Sequence, residues 1–284
     1  MPEGLEAEIW RRAATVLIGR TVERWWVDER VAPPGMVSDL AGASVDAVDR
    51  IGKIVVLHLT VPRSAQTRSS AQPTAGRRLG LHFGMTGRLV VDGRAAIEQL
   101  AYASGRDDAA WDRLRLWTDA GPGGPGGDGD PGDGRVPALR LNDPRRLGRV
   151  SLDEDLRGLG PDVLAISGAE LGDVLARRRA AVKTVLLDQG AVAGLGNLCA
   201  DEVLWWAGIA PTRPADSLLS TEVAALHDAV SVRLPEMLAA GGSTTGVLSP
   251  EVRAACPPCE RDGTPLRRAT IGGRTAVWCP AHQD

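Results

Sequence analysis

The chain is poor in aromatic residues other than tryptophan: its 284 residues include one Tyr and one Phe beside eight Trp. Alongside the abundance of Ala, Gly and Arg this is a compositional bias, and no function follows from it. Long apolar runs are missing too. None reaches the roughly 18 residues a membrane-spanning helix needs. The N-terminus puts acids ahead of its apolar residues and has no basic segment, so no signal peptide is expected. The expectation is a cytoplasmic protein with no membrane partner. Cysteine is scarce and unevenly placed. Cys199 stands alone in an apolar stretch, whereas Cys256, Cys259 and Cys279 fall in the last thirty residues. That asymmetry suits a metal site in a reducing compartment better than two disulfides. Net positive charge is also absent. The formal charge of −3 argues, taken alone, against a nucleic-acid partner. Yet the tract "DAGPGGPGGDGDPGDG" (119–134) holds four Asp and no basic residue, and without it the count is +1. Arginines cluster elsewhere, in "RRR" (177–179), "DPRRLGR" (143–149) and "PLRR" (265–268). Local basic patches can still serve a polyanion.

A hydrophobic fraction of 43% is ample for a buried core, and the length allows one large domain or two to three smaller ones. Residues 5–18 read as a helix with Ile9, Ala13, Val16 and Leu17 as its apolar stripe. After Gly19 the pattern changes to short segments rich in β-branched residues and bounded by Gly, Asp and Pro. "TVERWWVDE", "KIVVLHLT", "LGLHFG", "GRLVVDG", "RLRLWTD" and "ALRLND" predict strands of an antiparallel β domain. Two low-complexity stretches, 62–78 and 119–134, interrupt them and read as mobile surface loops. From about 153 the chain turns helical. "GAELGDVLARRRA", "VKTVLLDQG", "NLCADEVLWWAG" and "STEVAALHDAVSVRLPEMLAAGG" are separated by Gly and Pro breaks. The organisation is an α+β multidomain chain: a helix and β domain (1–152), a helical domain (153–250) and a small metal module (251–284).

In that module Cys256 and Cys259 form a C-x-x-C pair, and after nineteen intervening residues Cys279 and His282 form C-x-x-H. Three thiolates and an imidazole suit one tetrahedral, structural Zn²⁺. Between the pairs, "LRRATIGGRTAVW" alternates around Gly272-Gly273 and predicts a β-hairpin with a glycine turn. Arg267, Arg268 and Arg274 on its strands are candidates for reading phosphates, or a solvated face. Upstream, "GAVAGLGN" joins two helices. Gly194 and Gly196 there let backbone N–H groups approach a ligand, and the next helix adds its dipole. The turn reads as an anion site with a phosphodiester as natural guest, or as a helix hairpin packed for its own sake. The opening "MPEGLEAEIW" reads first as a helix start, with proline and acids in the first turn.

"VKTVLLDQGAVAGLGNLCADEVLW" resembles the helix–two-turn–helix signature of the formamidopyrimidine-DNA glycosylase / endonuclease VIII family. The likeness continues in order along the chain: "MPEG.E.E", "GKIVVLHL", "LHFGMTGRL", "DPRRLGR", "LGPDVL", "GGST" and the terminal "GGRTAVWC". Only the two low-complexity stretches fall outside it. The resemblance implies a β-sandwich before a helix–two-turn–helix DNA-binding domain and a zinc-ribbon hairpin. It implies a monomeric base-excision repair enzyme acting on damaged double-stranded DNA, as DNA glycosylase and abasic-site lyase. It further implies that Met1 is removed and that the secondary amine of Pro2 is the nucleophile, with Glu3 as acid/base. An α-amino group, with a pKa of roughly 8, keeps a usable neutral fraction at physiological pH. By the same resemblance Glu6 holds the N-terminus, and Lys53, on a strand, holds the phosphate beside the lesion. Lys183 and Asn197 lie near the DNA backbone, Arg274 grips the phosphates flanking the flipped nucleotide, and Met85 and Arg145 fill the hole it leaves. Glu8 is a second holding acid or a helix-face residue.

Three departures from the family pattern stand out. His282 replaces a usual cysteine. Leu147 occupies the place of an aromatic wedge, and leucine can still intercalate. Only "VLSPEVRAA" separates "GGSTTG" from Cys256, too short for the segment that caps 8-oxoguanine in relatives. With an opening "PEGLEAE" closer to endonuclease VIII, oxidised pyrimidines, formamidopyrimidines or abasic sites are the expected substrates. A non-catalytic damaged-DNA-binding protein on the same scaffold is the alternative, and RNA binding a weaker third; Pro2, Glu3 and Lys53 together favour the enzyme.

Overall fold

A computed structural model describes residues 2–33, 35–37, 40–62, 76–98, 100, 103–120 and 135–284. Met1 and nearly all of both low-complexity stretches lie outside the described residues. The chain divides into two compact units. One contains Pro2, Ala7–Arg50 and Ile54–Asp155; the other contains Glu3–Glu6, Ile51–Lys53 and Leu156–Asp284.

The first unit is a β-sandwich. One antiparallel sheet has the order β1 (Val22–Val27), β7 (Asp112–Thr118), β8 (Leu139–Asn142), β5 (Arg88–Val91) and β6 (Arg94–Ala95). The other has the order β2 (Ser44–Ile51), β3 (Ile54–Thr60), β4 (Gly76–His82) and β9 (Arg149–Leu152). The inward residues of both sheets share one apolar core, among them Val45, Leu57 and Leu81 from one and Leu89, Leu116 and Leu141 from the other. Helix α1 (Gly4–Ala14) adds Ala7, Trp10 and Ala14 to that core, and the Trp10 ring lies 4.0 Å from that of Phe83, centroid to centroid. The buried stripe of this helix is therefore Ala7–Trp10–Ala14, continued by Leu17. Of the predicted stripe, Leu17 is fully buried and Ala13 packs part-buried against the core, whereas Ile9 is half-buried and Val16 is 52% exposed. The helix tightens into a 3₁₀ turn at Thr15–Leu17, with Leu17 inward and Val16 off the buried face.

The predicted strands all form. β2 and β9 were not foreseen as strands. In β2, "SVDAVDRI", the buried Val45 and Val48 are three residues apart, so no period of two is visible.

The second unit is built on α2 (Gly168–Ala176), α3 (Val182–Leu187), α4 (Asn197–Ala207) and α5 (Ser220–Ala240) around Val185, Leu186, Val203, Leu204 and Leu226. Ser167 and Glu170 close a capping box on α2. A short α6 (Pro250–Ala255), with Ser249 as N-cap, leads into the hairpin of β10 (Arg267–Ile271) and β11 (Arg274–Trp278). As expected, the turn is Gly272-Gly273, both at positive φ (57° and 72°), which glycine adopts without steric cost. The hairpin and the cysteines pack on α4 through Trp205, Leu248, Cys259, Val277 and Cys279, so the metal module belongs to the same unit as the helices.

Candidate active site and metal centre

The glycine turn before α4 does bind an anion, and the anion is the protein's own. The carboxylate of Glu3 accepts backbone N–H bonds from Gly196 (2.9 Å), Leu198 (2.8 Å) and Cys199 (3.1 Å). It takes the place assigned above to a phosphodiester. Gly196 is required for this, because a Cβ there would overlap the Glu3 carboxylate. The N–H groups of the first turn of α4, unpaired within the helix, and its dipole thus hold one acid rigidly. The backbone of Glu3 is held as well: its N–H donates to Glu6 Oε2 at 2.6 Å. The other Glu6 oxygen accepts from the Ser243 N–H at 2.6 Å, with Gly242 leaving room for it. Glu6 therefore anchors the peptide that follows Pro2 and is itself almost fully buried. Burial, and after it the Glu3 charge, raises its carboxyl above the ordinary range. Pro2 is buried.

Lys53 sits in the turn Gly52-Lys53 between β2 and β3, and not within a strand as the resemblance implied. Gly52, at φ 57°, donates its N–H to Asp162 Oδ2 at 2.8 Å, which ties this turn to the helical unit. Burial lowers the Lys53 ammonium's pKa. The nearby carboxylate of Glu3 opposes that, and the Arg274 guanidinium adds to it. Lys53 thus feels the charges of both Glu3 and Arg274. Arg274 is exposed at the first position of β11, directly after the glycine turn. Asn197 opens α4 half-buried, and its Oδ1 is buried without a hydrogen-bond partner among the described residues.

Lys183 is placed differently from its expected position near DNA. It is fully buried, its Nζ 2.6 Å from Asp201 Oδ1 and 2.8 Å from the Thr275 carbonyl oxygen. Burial pulls its pKa down to about 8 against the opposing charge of Asp201. Its cation is spent inside the protein.

In the β unit, Met85, Arg145 and Leu147 lie on two loops stapled together. The Asp143 carboxylate accepts from Thr86 Oγ1 (2.6 Å) on one loop, and from the Leu147 and Gly148 N–H groups (both 2.7 Å) on the other. Gly84, at φ 58°, allows contact so close that a Cβ would strike the Leu147 backbone. Beneath, Arg113 donates to the Asp143 carbonyl at 2.8 Å and pairs with Asp28 at 3.0 Å. The loops present an exposed Arg145, a Leu147 that is 45% exposed and a half-buried Met85.

The ligand atoms of Cys259, Cys279, His282 and Asp262 lie within 4.8 Å of one another. Three of the four expected metal ligands are thus brought together, and Asp262 joins them. Cys256 stands outside this group: it caps α6 at φ 47°, and its Sγ faces the Arg253 carbonyl at 3.6 Å. The left-handed cap turns the thiol back along the helix. His282 Nε2 lies 3.3 Å from the Trp205 carbonyl, so that nitrogen carries the proton and Nδ1 is left to face the cluster, 3.6 Å from Cys259 Sγ. Two thiols, an imidazole and a carboxylate form a donor set that fits a tetrahedral Zn²⁺.

Comparison with known proteins agrees with this geometry. The family model for the formamidopyrimidine-DNA glycosylase N-terminal domain matches residues 1–150, and that for its H2TH domain matches residues 158–249. The chain belongs to the formamidopyrimidine-DNA glycosylase family. It is accordingly a DNA-binding base-excision repair enzyme with glycosylase and abasic-site lyase activity. Among its curated relatives, the formamidopyrimidine-DNA glycosylase of Paracoccus denitrificans is 34% identical with all of both chains covered, and that of Halorhodospira halophila 32% with the same coverage. Among solved structures, the MutM (Fpg) protein of Thermus thermophilus aligns with a TM-score of 0.71 at 26% identity, covering 99% of this chain and 98% of that one. The Lactococcus lactis Fpg complexed with abasic-site DNA aligns with a TM-score of 0.72 at 22% identity, covering 99% of each, a likeness of fold.

The sequence reading missed the acids that organise this glycosylase: Asp143, Asp162, Asp201 and Asp262. Each is an ordinary aspartate whose partners lie far along the chain. One signal was available for Lys183. The chain has only two lysines, Lys53 and Lys183, among 33 basic residues. A sequence that uses arginine almost everywhere keeps lysine where a compact charge must fit.

Proposed function

We propose that this glycosylase removes oxidised pyrimidines and formamidopyrimidines in preference to 8-oxoguanine, through a Schiff base on Pro2. With Met1 removed, the Pro2 secondary amine attacks C1′ of the extruded nucleotide. The C1′–N bond breaks and the base leaves with its electron pair, taking up a proton. Protonation of the ring oxygen opens the sugar and yields an iminium between Pro2 and C1′. The iminium acidifies the 2′ hydrogens; loss of one expels the 3′ phosphate, and a second elimination expels the 5′ phosphate. Glu3 supplies and removes the protons. Lys53 and Arg274 hold phosphates on either side, and Met85, Arg145 and Leu147 occupy the vacated stack. A bound Zn²⁺ would serve structure only, fixing the hairpin that carries Arg274.

The observation that carries this reading is the double anchorage of Glu3, by α4 through its carboxylate and by Glu6 through its N–H. A residue used only to start a helix has no need of either. The preference against 8-oxoguanine is supported by the segment after Gly246, which is a short turn and the six-residue α6. The test is borohydride trapping on duplexes carrying an abasic site, thymine glycol, a formamidopyrimidine or 8-oxoguanine. The mature protein is expected to trap on the first three at least tenfold faster than on 8-oxoguanine, and Pro2→Gly to trap on none. Equal trapping on 8-oxoguanine would remove the preference, and undiminished trapping by Pro2→Gly the nucleophile.

A further inference from the structure

The short segment that replaces a lesion cap has a structural use. Its helix α6 sends Arg253 inward, where it is only 6% exposed. One arm of its guanidinium meets Asp201 Oδ2 on α4, and the other donates to the Thr275 carbonyl on β11 at 2.7 Å. The same Asp201 oxygen accepts the Val277 N–H at 3.0 Å, and Lys183 on α3 donates to the same Thr275 carbonyl. Thr275 C=O and Val277 N–H both point away from β10, so they form the free edge of a two-stranded sheet. Unpaired edge groups need partners, and here buried side chains supply them. The hairpin is also held at its turn, where Gly272 lies so close to Thr184 on α3 that a Cβ would strike its hydroxyl. Arg274 sits between these two attachments, immediately before Thr275.

We propose that Arg253 is a positioning residue for the DNA-binding hairpin: by spanning Asp201 and the Thr275 carbonyl, it fixes the strand end from which Arg274 reaches a phosphate. Lys183 alone cannot do this. It satisfies one lone pair of Thr275 from α3, whereas the forked guanidinium ties β11 to α6 as well. The segment after Gly246 therefore acts on phosphate binding and not on the base.

This inference rests on the reading of Arg274 as a phosphate ligand, and the experiment separates the two. The affinity of the full-length, zinc-loaded protein for a duplex with a tetrahydrofuran abasic-site analogue is measured across a salt series. Arg274→Ala is expected to flatten the slope of log K against log salt by about 0.9, one phosphate contact. Arg253→Met should flatten it by a similar amount and weaken binding about tenfold at low salt, with the Arg253→Met, Arg274→Ala double variant no worse than Arg274→Ala. Arg253→Lys, with one ammonium in place of two arms, should restore less than half of the loss. A wild-type slope in folded Arg253→Met, or additive losses in the double variant, overturns the proposal. If Arg253→Met does not hold zinc, Arg253→Gln takes its place, and a wild-type slope there overturns it equally. An unchanged slope in Arg274→Ala itself would instead sink the phosphate reading.

Discussion

At the scale of single residues, the site depends on one position with no side chain. Gly196 lets the N-terminus of α4 close on Glu3, and any Cβ there pushes the carboxylate away. A displacement of about 1 Å at a catalytic acid can cost roughly 10²-fold in rate. Gly196→Ala is therefore expected to slow single-turnover excision about 100-fold while leaving DNA affinity within a factor of about 3. Gly172→Ala is the matched control: it lies within α2, and its Cβ would make only an ordinary contact with Val223 at 3.6 Å. Rapid-quench kinetics on both variants would decide it, and a wild-type rate in Gly196→Ala would show that Glu3 needs no such seat. The sequence made the glycines and the helix N-terminus legible as an anion site. It could not say which anion, because Glu3 and Gly196 are 193 residues apart and local pattern carries no long-range pairing. Lys183 shows the same limit: its motif suggested a surface role, and only Asp201 and Thr275, remote in sequence, make it internal.

At the scale of elements, α1 carries two glutamates with opposite pH behaviour. Glu8 pairs with Arg11 (2.9 Å), Arg12 (2.8 Å) and Arg50 (3.3 Å). Burial alone would raise its carboxyl; hydrogen bonds from Arg11 and Arg12 and the charges of Arg11 and Arg50 outweigh that and lower it to about 2. A depressed carboxyl contributes stability above its ordinary value of 4.5, and that contribution is lost as pH falls toward 2. Glu8→Gln should thus destabilise the protein by about 1–2 kcal/mol at pH 7, discounted for the exposure of Arg12, and the gap should close between pH 4.5 and 2. Glu6, raised by burial and by Glu3, runs the other way: its contribution is present below 4.5 and lost as pH rises through its raised value. Glu6→Gln should gain on the wild type in that direction. Thermal melts of both variants from pH 3 to 8 check the signs; parallel curves would deny the difference in surroundings. Elements with a clear period were legible, including the long helices and the strands rich in valine and leucine. β2 was hidden because its valines and its aspartates each recur every three residues, and the stripe of α1 was misjudged because Ile9, Ala13 and Val16 offer a competing apolar face at the same helical spacing as Ala7, Trp10 and Ala14.

At the scale of the whole molecule, the charge sign is wrong for a DNA-binding protein, and its placement explains why that can be tolerated. The segment 121–134 contains three aspartates and no basic residue, and without it the formal charge rises from −3 to zero. The exposed arginines that the proposed function sets against DNA, Arg145 and Arg274, belong to a described loop and strand. The three negative charges of the tract oppose the approach of any DNA, whatever its sequence, as a long-range repulsion. Its reach is set by the Debye length, about 10 Å at 0.1 M salt and about 6 Å at 0.3 M. Deleting 121–134 should tighten binding to undamaged duplex about 2- to 5-fold at 50 mM salt, with the difference falling below about 1.5-fold at 300 mM. Excision from a damaged duplex at saturating enzyme should stay unchanged. Replacing Asp128, Asp130 and Asp133 by Asn, with the length kept, separates charge from steric bulk: it should reproduce the deletion. A triple Asn variant that binds undamaged duplex no tighter than the wild type at 50 mM would show that net charge has no part in how this enzyme samples DNA. Non-specific affinity would then be set by the folded basic surface alone.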